Sequence, residues 1–266
     1  KSLLSCTNDV FIEVLLSGYL DDAHVFTYPL PNLIFPRDIA VCFGKTILIT
    51  WAKKHVRRRE NIISKYIFTY YKQFENLTIF DFHSNFPKLT IEGGDILIFD
   101  DKRICIGISE RTPLESVASL APTFYKEGFE KIIAIDMPKK RSLMHLDTIF
   151  TKISNEEVLV YPPILEKNFN DGVNNIYLFE KKSNLPTKHN KNIINFLKED
   201  NVKIKFIKCG SDKLINQQRE QWTDGANSFA LAPGKIIGYN CNTHTLKELK
   251  NNGNEIITSE KYIKNH

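Results

Sequence analysis

A histidine and an aspartate stand two residues apart, at His145 and Asp147, in a stretch where apolar and polar residues alternate over 143–150. Such alternation is typical of a β-strand, and in a strand residues two apart point to the same face. The sequence therefore predicts that both side chains project side by side. Histidine exchanges a proton near neutral pH, and the aspartate beside it supplies a negative charge. This spacing favours proton transfer next to a carboxylate, although an isolated pair of this kind is more often a solvated feature of a surface strand.

Two other stretches are predicted to present carboxylates on strands in a similar way. Arg37 precedes Asp38, and Glu92 and Asp95 enclose the glycine pair 93–94. Glycine carries no side chain, so the backbone at this pair can approach its surroundings closely. These further carboxylates favour a chemical role for the His145–Asp147 pair, while a plain turn at the glycine pair is the simpler alternative.

Composition places the chain among ordinary globular proteins. It has 266 residues, of which 42% are hydrophobic and 25% charged. No apolar run approaches the roughly 20 residues needed to cross a bilayer, and the first residues do not resemble a signal peptide. We therefore expect a cytoplasmic protein without a membrane partner. Because the chain does not begin with Met, we also expect a fragment or a trimmed chain.

Cysteine spacing and charge exclude several classes of protein. The five cysteines are scattered singly, with no Cys-x-x-Cys pair and no cluster with histidine. This spacing argues against a zinc site and against a disulfide framework, and it suits a reducing compartment. The net charge is +5, but the basic runs at 57–59 and 139–141 are short and lack interleaved aromatic residues. We therefore expect no nucleic-acid partner.

Four consecutive segments share one predicted order of strand, strand, helix and strand. They span 39–82, 95–135, 146–207 and 228–258, the third with a polar excursion at 162–189 and the fourth ending in a strand over 255–258. Repeated units of this kind are expected to close radially, with sheets around an axis and helices outside. Radial closure would bring the candidate residues together near the axis, and an open mixed sheet with helices on one face is the alternative. The residues concerned are Asp38, Glu92, His145, Asp147 and Asp224.

Residues 1–30 precede the repeats and are predicted to be the end of a helical segment followed by a connection. The helix would be capped by Asn8 or Asp9 and ended by Gly18.

Six short motifs follow one another along the chain, and each would be weak alone. They are 31–38 (PNLIFPRD), 57–60 (RRRE), 91–95 (IEGGD), 107–112 (GISERT), 144–148 (MHLDT) and 219–227 (REQWTDGAN). In this order they closely resemble the arginine deiminase family, which belongs to the guanidine-modifying enzyme superfamily with the pentein fold. The resemblance covers the chain from about Val10 onward. It implies an α/β fold, a pentein-type propeller of ββαβ modules around a pseudo-symmetry axis, with four of five modules visible in a catalytic domain over 31–266.

The resemblance implies hydrolysis of L-arginine to L-citrulline and ammonia through a covalent amidino-cysteine intermediate, without a metal or an organic cofactor. Asp38 and Asp147 would hold the guanidinium through paired hydrogen bonds. His145 would act as general acid and then as general base. Glu92 would accept a hydrogen bond from the imidazole and favour its charged form.

Four further residues are implied to bind the amino-acid end and the stem of the substrate. Arg57 and Arg111 would grip the α-carboxylate, Asn32 would help to fix the amino-acid end, and Phe35 would pack against the aliphatic stem. The alternatives are structural: the run at 57–59 could be a solvated helix start, and Arg111 could form a surface ion pair with Glu110. The partner is thus expected to be a small molecule, and homo-oligomerisation is left open.

Two departures from the family pattern bear on function. Pro36 stands where the family usually has threonine, and proline removes a backbone donor just before Asp38. The family's nucleophilic cysteine lies in a Gly-rich loop near the C-terminus, and we expect this chain to stop before that loop, since none of its cysteines matches. A catalytically dead arginine-binding pseudoenzyme is therefore an alternative. Another guanidine-modifying enzyme, such as an amidinotransferase or a dimethylarginine hydrolase, is a second alternative.

Overall fold

The computed structural model describes residues 3–165, 175–183, 185–200 and 202–265. The chain divides into two compact units, Lys1–Gly93 and Gly94–His266. This division is one of packing, so the division into a segment over 1–30 and a catalytic domain over 31–266 remains a prediction.

The first unit begins with helix α1 (Asn8–Ser17), as predicted. Its N-cap is Thr7, whose side chain accepts from the N–H of Val10 at 3.4 Å, so the predicted cap at Asn8 or Asp9 is wrong by one residue. Gly18 ends the helix in the left-handed conformation, with φ 89°, a conformation that glycine adopts without steric cost. The elements that follow are β1 (Tyr19–Leu20), β2 (Ala23–His24) and the short helix α2 (Pro36–Ile39).

The first predicted repeat is confirmed as a three-stranded sheet with a crossover helix. Its elements are β3 (Ala40–Phe43), β4 (Thr46–Ile49), α3 (Arg58–Tyr70) and β5 (Thr78–Asp81), and α4 (Phe82–Asn85) follows. β3 pairs antiparallel with β4 through a tight turn, and β4 pairs parallel with β5. A parallel pair needs a long crossover connection, which α3 provides.

The second unit repeats this plan. Its first elements are β6 (Ile96–Ile98), β7 (Arg103–Ile108), α5 (Leu114–Lys126) and β8 (Lys131–Asp136). β6 is antiparallel to β7, and β7 is parallel to β8. The repeat predicted over 95–135 is confirmed, because each of its elements coincides with a clear apolar pattern.

The third repeat departs from prediction in its middle. It begins with β9 (Phe150–Lys152), β10 (Glu157–Val160) and α6 (Pro162–Leu165). The polar excursion predicted at 162–189 is wrong where it is described, because β11 (Ile176–Glu180) and β12 (Thr187–His189) form strands there. β11 pairs antiparallel with β8 and extends the second sheet. Residues 166–174 of the excursion lie outside the described residues.

The third sheet is completed further along the chain by α7 (Ile193–Glu199) and β13 (Lys205–Lys208). β10 lies between β9, to which it is antiparallel, and β13, to which it is parallel. The three larger sheets therefore share the pattern of an antiparallel pair followed by a parallel one.

The last part of the unit is more helical than predicted. Its elements are α8 (Leu214–Trp222), β14 (Phe229–Ala232), β15 (Lys235–Ile237), α9 (Thr243–Asn251) and α10 (Ser259–Asn265). The repeat pattern of the sequence does not predict α8 or α10. The strand predicted over 255–258 is wrong, because those residues pair with no strand of the described chain.

The core of the second unit lies between its sheets and helices and includes Phe99, Ile133, Leu146 and Phe150. Leu146 matters for the site, since it stands between His145 and Asp147. No helix in the described ranges is long and apolar enough to cross a membrane.

Candidate active site

His145 and Asp147 lie on a 3₁₀ turn, so the strand predicted over 143–150 is wrong. The turn is formed by Leu146–Thr148, and the following strand starts only at Phe150. Both side chains are nevertheless buried, with 4% of His145 and 6% of Asp147 exposed. The structure therefore keeps the two groups on one short segment, although they do not share a strand face.

Hydrogen bonds explain why this alternating stretch forms a turn. Thr148 donates twice to the carbonyl oxygen of His145, from its N–H at 3.2 Å and from Oγ1 at 2.7 Å. Leu146 is 1% exposed and packs in the core. An apolar residue stands at this position because the turn is buried, and not because the segment is a strand. The carbonyl oxygen of Asp147 accepts from Thr151 Oγ1 at 3.0 Å, which ties the turn to the next strand.

A further carboxylate, Asp95, supports the same turn. Its Oδ1 accepts from the N–H of Leu146 at 3.0 Å, and its Oδ2 accepts from Ser109 Oγ at 2.6 Å. Burial raises the pKa of Asp95 to about 7, while the charge of His145 and hydrogen bonds from Ser109, Thr112 and Leu146 act to lower it. Asp95 was part of a sequence motif but received no role; the glycine pair before it was the signal that could have identified it.

Arg111 lies on the turn that follows β7 and is half-buried. Its N–H donates to Ser109 Oγ at 3.0 Å, and the N–H of Thr112 donates to the same oxygen at 3.2 Å. We call this segment, 109–112, the Arg111 turn. The first residue of the Arg111 turn is Ser109, whose hydroxyl contacts Asp95.

In the first unit, Arg57 lies among three buried carboxylates. Its Nη1 donates to Asp38 Oδ2 at 2.6 Å, its Nε and Nη2 donate to Glu60 Oε2 at 3.1 and 2.9 Å, and Nη1 lies 4.0 Å from Glu92 Oε2. Burial alone would lower the pKa of Arg57, but the charges and hydrogen bonds of Asp38 and Glu60 raise it above its usual value. Arg57 is therefore held as a cation.

Asp38 belongs to the short helix α2, so the carboxylate predicted on a strand is presented by a helical turn. Pro36 is the first residue of that helix, a position where the missing donor costs nothing. The departure from the family pattern at Pro36 is thus accommodated locally. The carbonyl oxygen of Asp38 accepts from Thr50 Oγ1 at 2.6 Å. A Cβ on Gly93 would lie only 1.9 Å from the Arg37 carbonyl oxygen, so the close approach expected there requires glycine.

The remaining predicted residues of this unit are Asn32, Phe35 and Glu92. The N–H of Asn32 donates to Glu60 Oε1 at 3.0 Å, and Phe35 is the N-cap residue of α2 and is half-buried. Glu92 Oε1 accepts from the N–H of Lys53 at 2.9 Å. Glu60 itself was missed as a candidate, although its spacing three residues after Arg57 in the first turn of a helix signals an ion pair.

The predicted residues divide between the two units. Lys1–Gly93 holds Asn32, Phe35, Asp38, Arg57 and Glu92, and Gly94–His266 holds Arg111, His145 and Asp147. Among the residues that the structure describes, no group of three or more histidine, cysteine, aspartate and glutamate side chains is placed to hold a metal ion. The roles assigned to these residues remain predictions.

Comparison with protein families matches residues 13–261 to the family described as arginine deiminase. A curated arginine deiminase from Listeria welshimeri is 34% identical over 244 residues, which cover 88% of this chain and 59% of that protein. One from Bacillus cytotoxicus is 32% identical, covering 96% of this chain and 67% of that protein. The chain therefore spans about three fifths to two thirds of the length of these relatives.

Solved structures resemble the chain in fold. A DDAH variant from Pseudomonas aeruginosa complexed with citrulline has a TM-score of 0.57 at 18% identity, covering 88% of this chain and 72% of that one. ArgZ, described as an arginine dihydrolase from cyanobacteria, has a TM-score of 0.56 at 16% identity, covering 85% of this chain and 29% of that one. These likenesses support the predicted α/β fold of pentein type. The number of modules and their closure around an axis remain predictions.

Proposed function

This chain belongs to the arginine deiminase family, and we propose that the protein hydrolyses L-arginine to L-citrulline and ammonia. The observation that carries this proposal is the turn on which His145 and Asp147 are both buried. A carboxylate pairs with the guanidinium of arginine through charge-assisted hydrogen bonds. A neighbouring histidine is the side chain best suited to move the protons of such a reaction.

The charges of the first unit suit the same substrate. Arg57 is a cation that ion pairs with Asp38 and Glu60 hold in place, and a group that binds a carboxylate must be cationic. In our proposal the substrate guanidinium donates to Asp38 and to Asp147, while Arg57 and Arg111 bind the α-carboxylate.

Glu92, Asn32 and Phe35 complete the proposed set. Glu92 accepts a hydrogen bond from the His145 imidazole, Asn32 helps to fix the amino-acid end, and Phe35 packs against the stem. No cofactor takes part in this scheme.

The proposed reaction proceeds in two steps. A cysteine thiolate attacks the guanidinium carbon, the C–N bond breaks, and His145 donates a proton to the departing ammonia. His145 then takes a proton from water, whose oxygen attacks the amidino carbon, and the thiolate leaves as citrulline forms. One residue thus serves first as acid and then as base.

None of the chain's five cysteines suits the nucleophile, which must react as a thiolate. Cys105 and Cys209 are buried, and burial raises the pKa of both thiols, which disfavours the thiolate. Cys6, Cys42 and Cys241 lie outside the six motifs. We therefore propose that the 266-residue chain carries residues for binding and proton transfer and lacks the nucleophile. A second candidate is an arginine-binding protein without catalysis.

Calorimetric titration of the 266-residue chain with L-arginine tests the binding part of the proposal. We expect the unchanged chain to bind L-arginine. Asp147→Asn should weaken this binding at least tenfold, because the amide keeps the shape of the side chain and removes the charge opposite the guanidinium. Equal affinity of a folded Asp147→Asn variant, or no binding by the unchanged chain, would contradict the proposal.

Citrulline assays separate the two candidates. We expect no detectable citrulline from the 266-residue chain, since the members of a nucleophile–base pair act as a unit. Citrulline formed by this chain would show that the proposed mechanism is wrong about the cysteine. The assay is then repeated on a longer chain that carries the family's cysteine loop: turnover favours the enzyme, and its absence favours the binding protein. A cytoplasmic location remains part of the proposal.

A further inference from the structure

Asp95 connects two segments that carry predicted site residues, although it belongs to neither. It is fully buried, with 0% of its surface exposed. One carboxylate oxygen accepts from the N–H of Leu146, the residue between His145 and Asp147, at 3.0 Å. The other accepts from the hydroxyl of Ser109 at 2.6 Å. The two oxygens of one carboxylate are thus divided between the two turns.

Ser109 connects Asp95 to the Arg111 turn through hydrogen bonds. Its hydroxyl donates to Asp95, and its oxygen accepts from the N–H groups of Arg111 at 3.0 Å and Thr112 at 3.2 Å. The backbone closes the same turn, since the N–H of Ser109 donates to the carbonyl oxygen of Thr112 at 3.0 Å. The orientation of the Arg111 backbone therefore depends on a hydroxyl that Asp95 holds.

A neighbouring glycine leaves the space that this arrangement needs. A Cβ on Gly107 would lie 2.6 Å from Asp95 Oδ1 and 3.1 Å from the Leu146 Cβ, closer than side chains tolerate. Burial also raises the pKa of Asp95 to about 7, which shows that its charge is costly in this position. A buried charge contributes little net stability on average, so a role in orientation explains its presence better than a role in stability.

We propose that Asp95 is a positioning residue that fixes the spacing between the His145–Asp147 turn and the Arg111 turn. In the proposed function, on which this inference rests, the first turn binds the guanidinium and the second binds the α-carboxylate. Asp95 therefore sets the length of substrate that reaches both groups. A ligand with both ends, such as L-arginine, depends on this spacing, whereas agmatine, which lacks the carboxylate, does not.

Two variants interrupt the connection at different points. Ser109→Ala removes the oxygen that accepts from Arg111 and leaves the bond between Asp95 and Leu146 intact. Asp95→Asn keeps the shape, but an amide has only one accepting oxygen. When the amide oxygen accepts from the N–H of Leu146, the amide NH₂ group can donate to the Ser109 oxygen in competition with the N–H of Arg111. The Arg111 turn then loosens, as it does in Ser109→Ala.

A buried carboxylate elsewhere in the same unit provides the matched control. Glu220 is 3% exposed and accepts from the N–H groups of His244 and Thr245 at 2.8 Å each and from Thr245 Oγ1 at 2.7 Å. Glu220→Gln changes a buried carboxylate to an amide in the same way. The hydrogen bonds of its carboxylate join it to His244 and Thr245, so this variant reports the general effect of such a change.

Dissociation constants for L-arginine and agmatine, measured by calorimetry on the 266-residue chain, test the proposal. We expect each single variant to reduce the preference for L-arginine over agmatine about tenfold, the effect of losing one hydrogen bond to a charged group. The double variant should lose at least about tenfold, because Asp95→Asn also disturbs the hydrogen bond that the Thr112 side chain makes to Asp95. Glu220→Gln should leave the preference within about twofold. An unchanged preference in both folded single variants would overturn the proposal.

Amide hydrogen exchange distinguishes failure of this inference from failure of the proposed function. We expect exchange at Arg111 and Thr112 to become at least about tenfold faster in Ser109→Ala and Asp95→Asn, and to stay unchanged in Glu220→Gln. If the unchanged chain binds neither ligand, the proposed function fails, and exchange at these two amides still decides whether Asp95 holds the Arg111 turn. If Asp95→Asn does not fold, Ser109→Ala and its control decide it: unchanged exchange in Ser109→Ala would overturn the proposal.

Discussion

Replacing Gly107 by alanine would place a methyl group in the space that Asp95 and Leu146 share. The new Cβ would lie 2.6 Å from Asp95 Oδ1, 2.8 Å from Met137 Sδ and 3.1 Å from the Leu146 Cβ. Met137 has a flexible side chain and can move. Asp95 and Leu146 cannot move without weakening the bond between them. Overpacking of this kind costs about 1–3 kcal/mol, and a weakened hydrogen bond to a buried charged group adds about 1.5–3 kcal/mol. We therefore expect Gly107→Ala to destabilise the protein by about 3–5 kcal/mol.

Urea denaturation followed by circular dichroism measures this difference as a shift of the midpoint at constant slope. Gly238→Ala is the matched control, because a Cβ there would meet only Ser228 Oγ, at 3.9 Å. The control should change stability by no more than about 0.5 kcal/mol. If Gly107→Ala is as stable as Gly238→Ala, the packing around Asp95 is looser than the structure indicates, and close packing does not hold Asp95 in position.

Three further results are expected. Arg111→Lys should weaken L-arginine binding about tenfold and leave agmatine binding nearly unchanged, since an ammonium cannot form the paired bonds of a guanidinium. Calorimetry measures the affinity for each ligand, and an equal loss of affinity for both would contradict a role of Arg111 at the α-carboxylate. Glu60→Gln should destabilise the protein by about 3–5 kcal/mol, because it removes one partner of a buried ion pair with Arg57; a smaller loss in urea denaturation would mean that Asp38 alone suffices for Arg57. Burial raises the pKa of Asp95 from 3.8 to about 7, so the folded state binds this proton more tightly than the unfolded state. The stability of the unchanged chain relative to Asp95→Asn should therefore fall as the pH rises from about 4 to about 7, by up to about 4 kcal/mol, and a difference constant over this range would refute that assignment.

Most local elements follow from the sequence alone. The repeat predicted over 39–82 is observed with its hairpin between β3 and β4 and its helix at Arg58–Tyr70. These elements depend on periodicity, capping and turn residues within a short stretch of chain, and neighbours along the sequence supply that information. The six motifs also sufficed to identify the family, which the comparisons confirm.

Elements that depend on distant partners were not predictable in this way. Strand β11 forms in the stretch predicted to be a polar excursion, because it pairs antiparallel with β8. The strand expected over 255–258 does not form, since those residues pair with no strand of the described chain. Periodicity identifies a segment that can be a strand, but the sheet edge that it pairs with is provided by another part of the fold.

The surroundings of the site were decided by tertiary structure. The sequence determined that His145 and Asp147 stand on either side of an apolar residue, and periodicity alone favoured a strand. The turn forms because Leu146 is buried and donates its N–H to Asp95, which lies 51 residues earlier in the chain. In the same way, the RRRE motif indicated a helix start, whereas the bond of Arg57 to Asp38 joins residues 19 positions apart. Hydrogen bonds between residues so far apart exist only once the sheets have brought their loops together, so the partners of the site residues are fixed by packing.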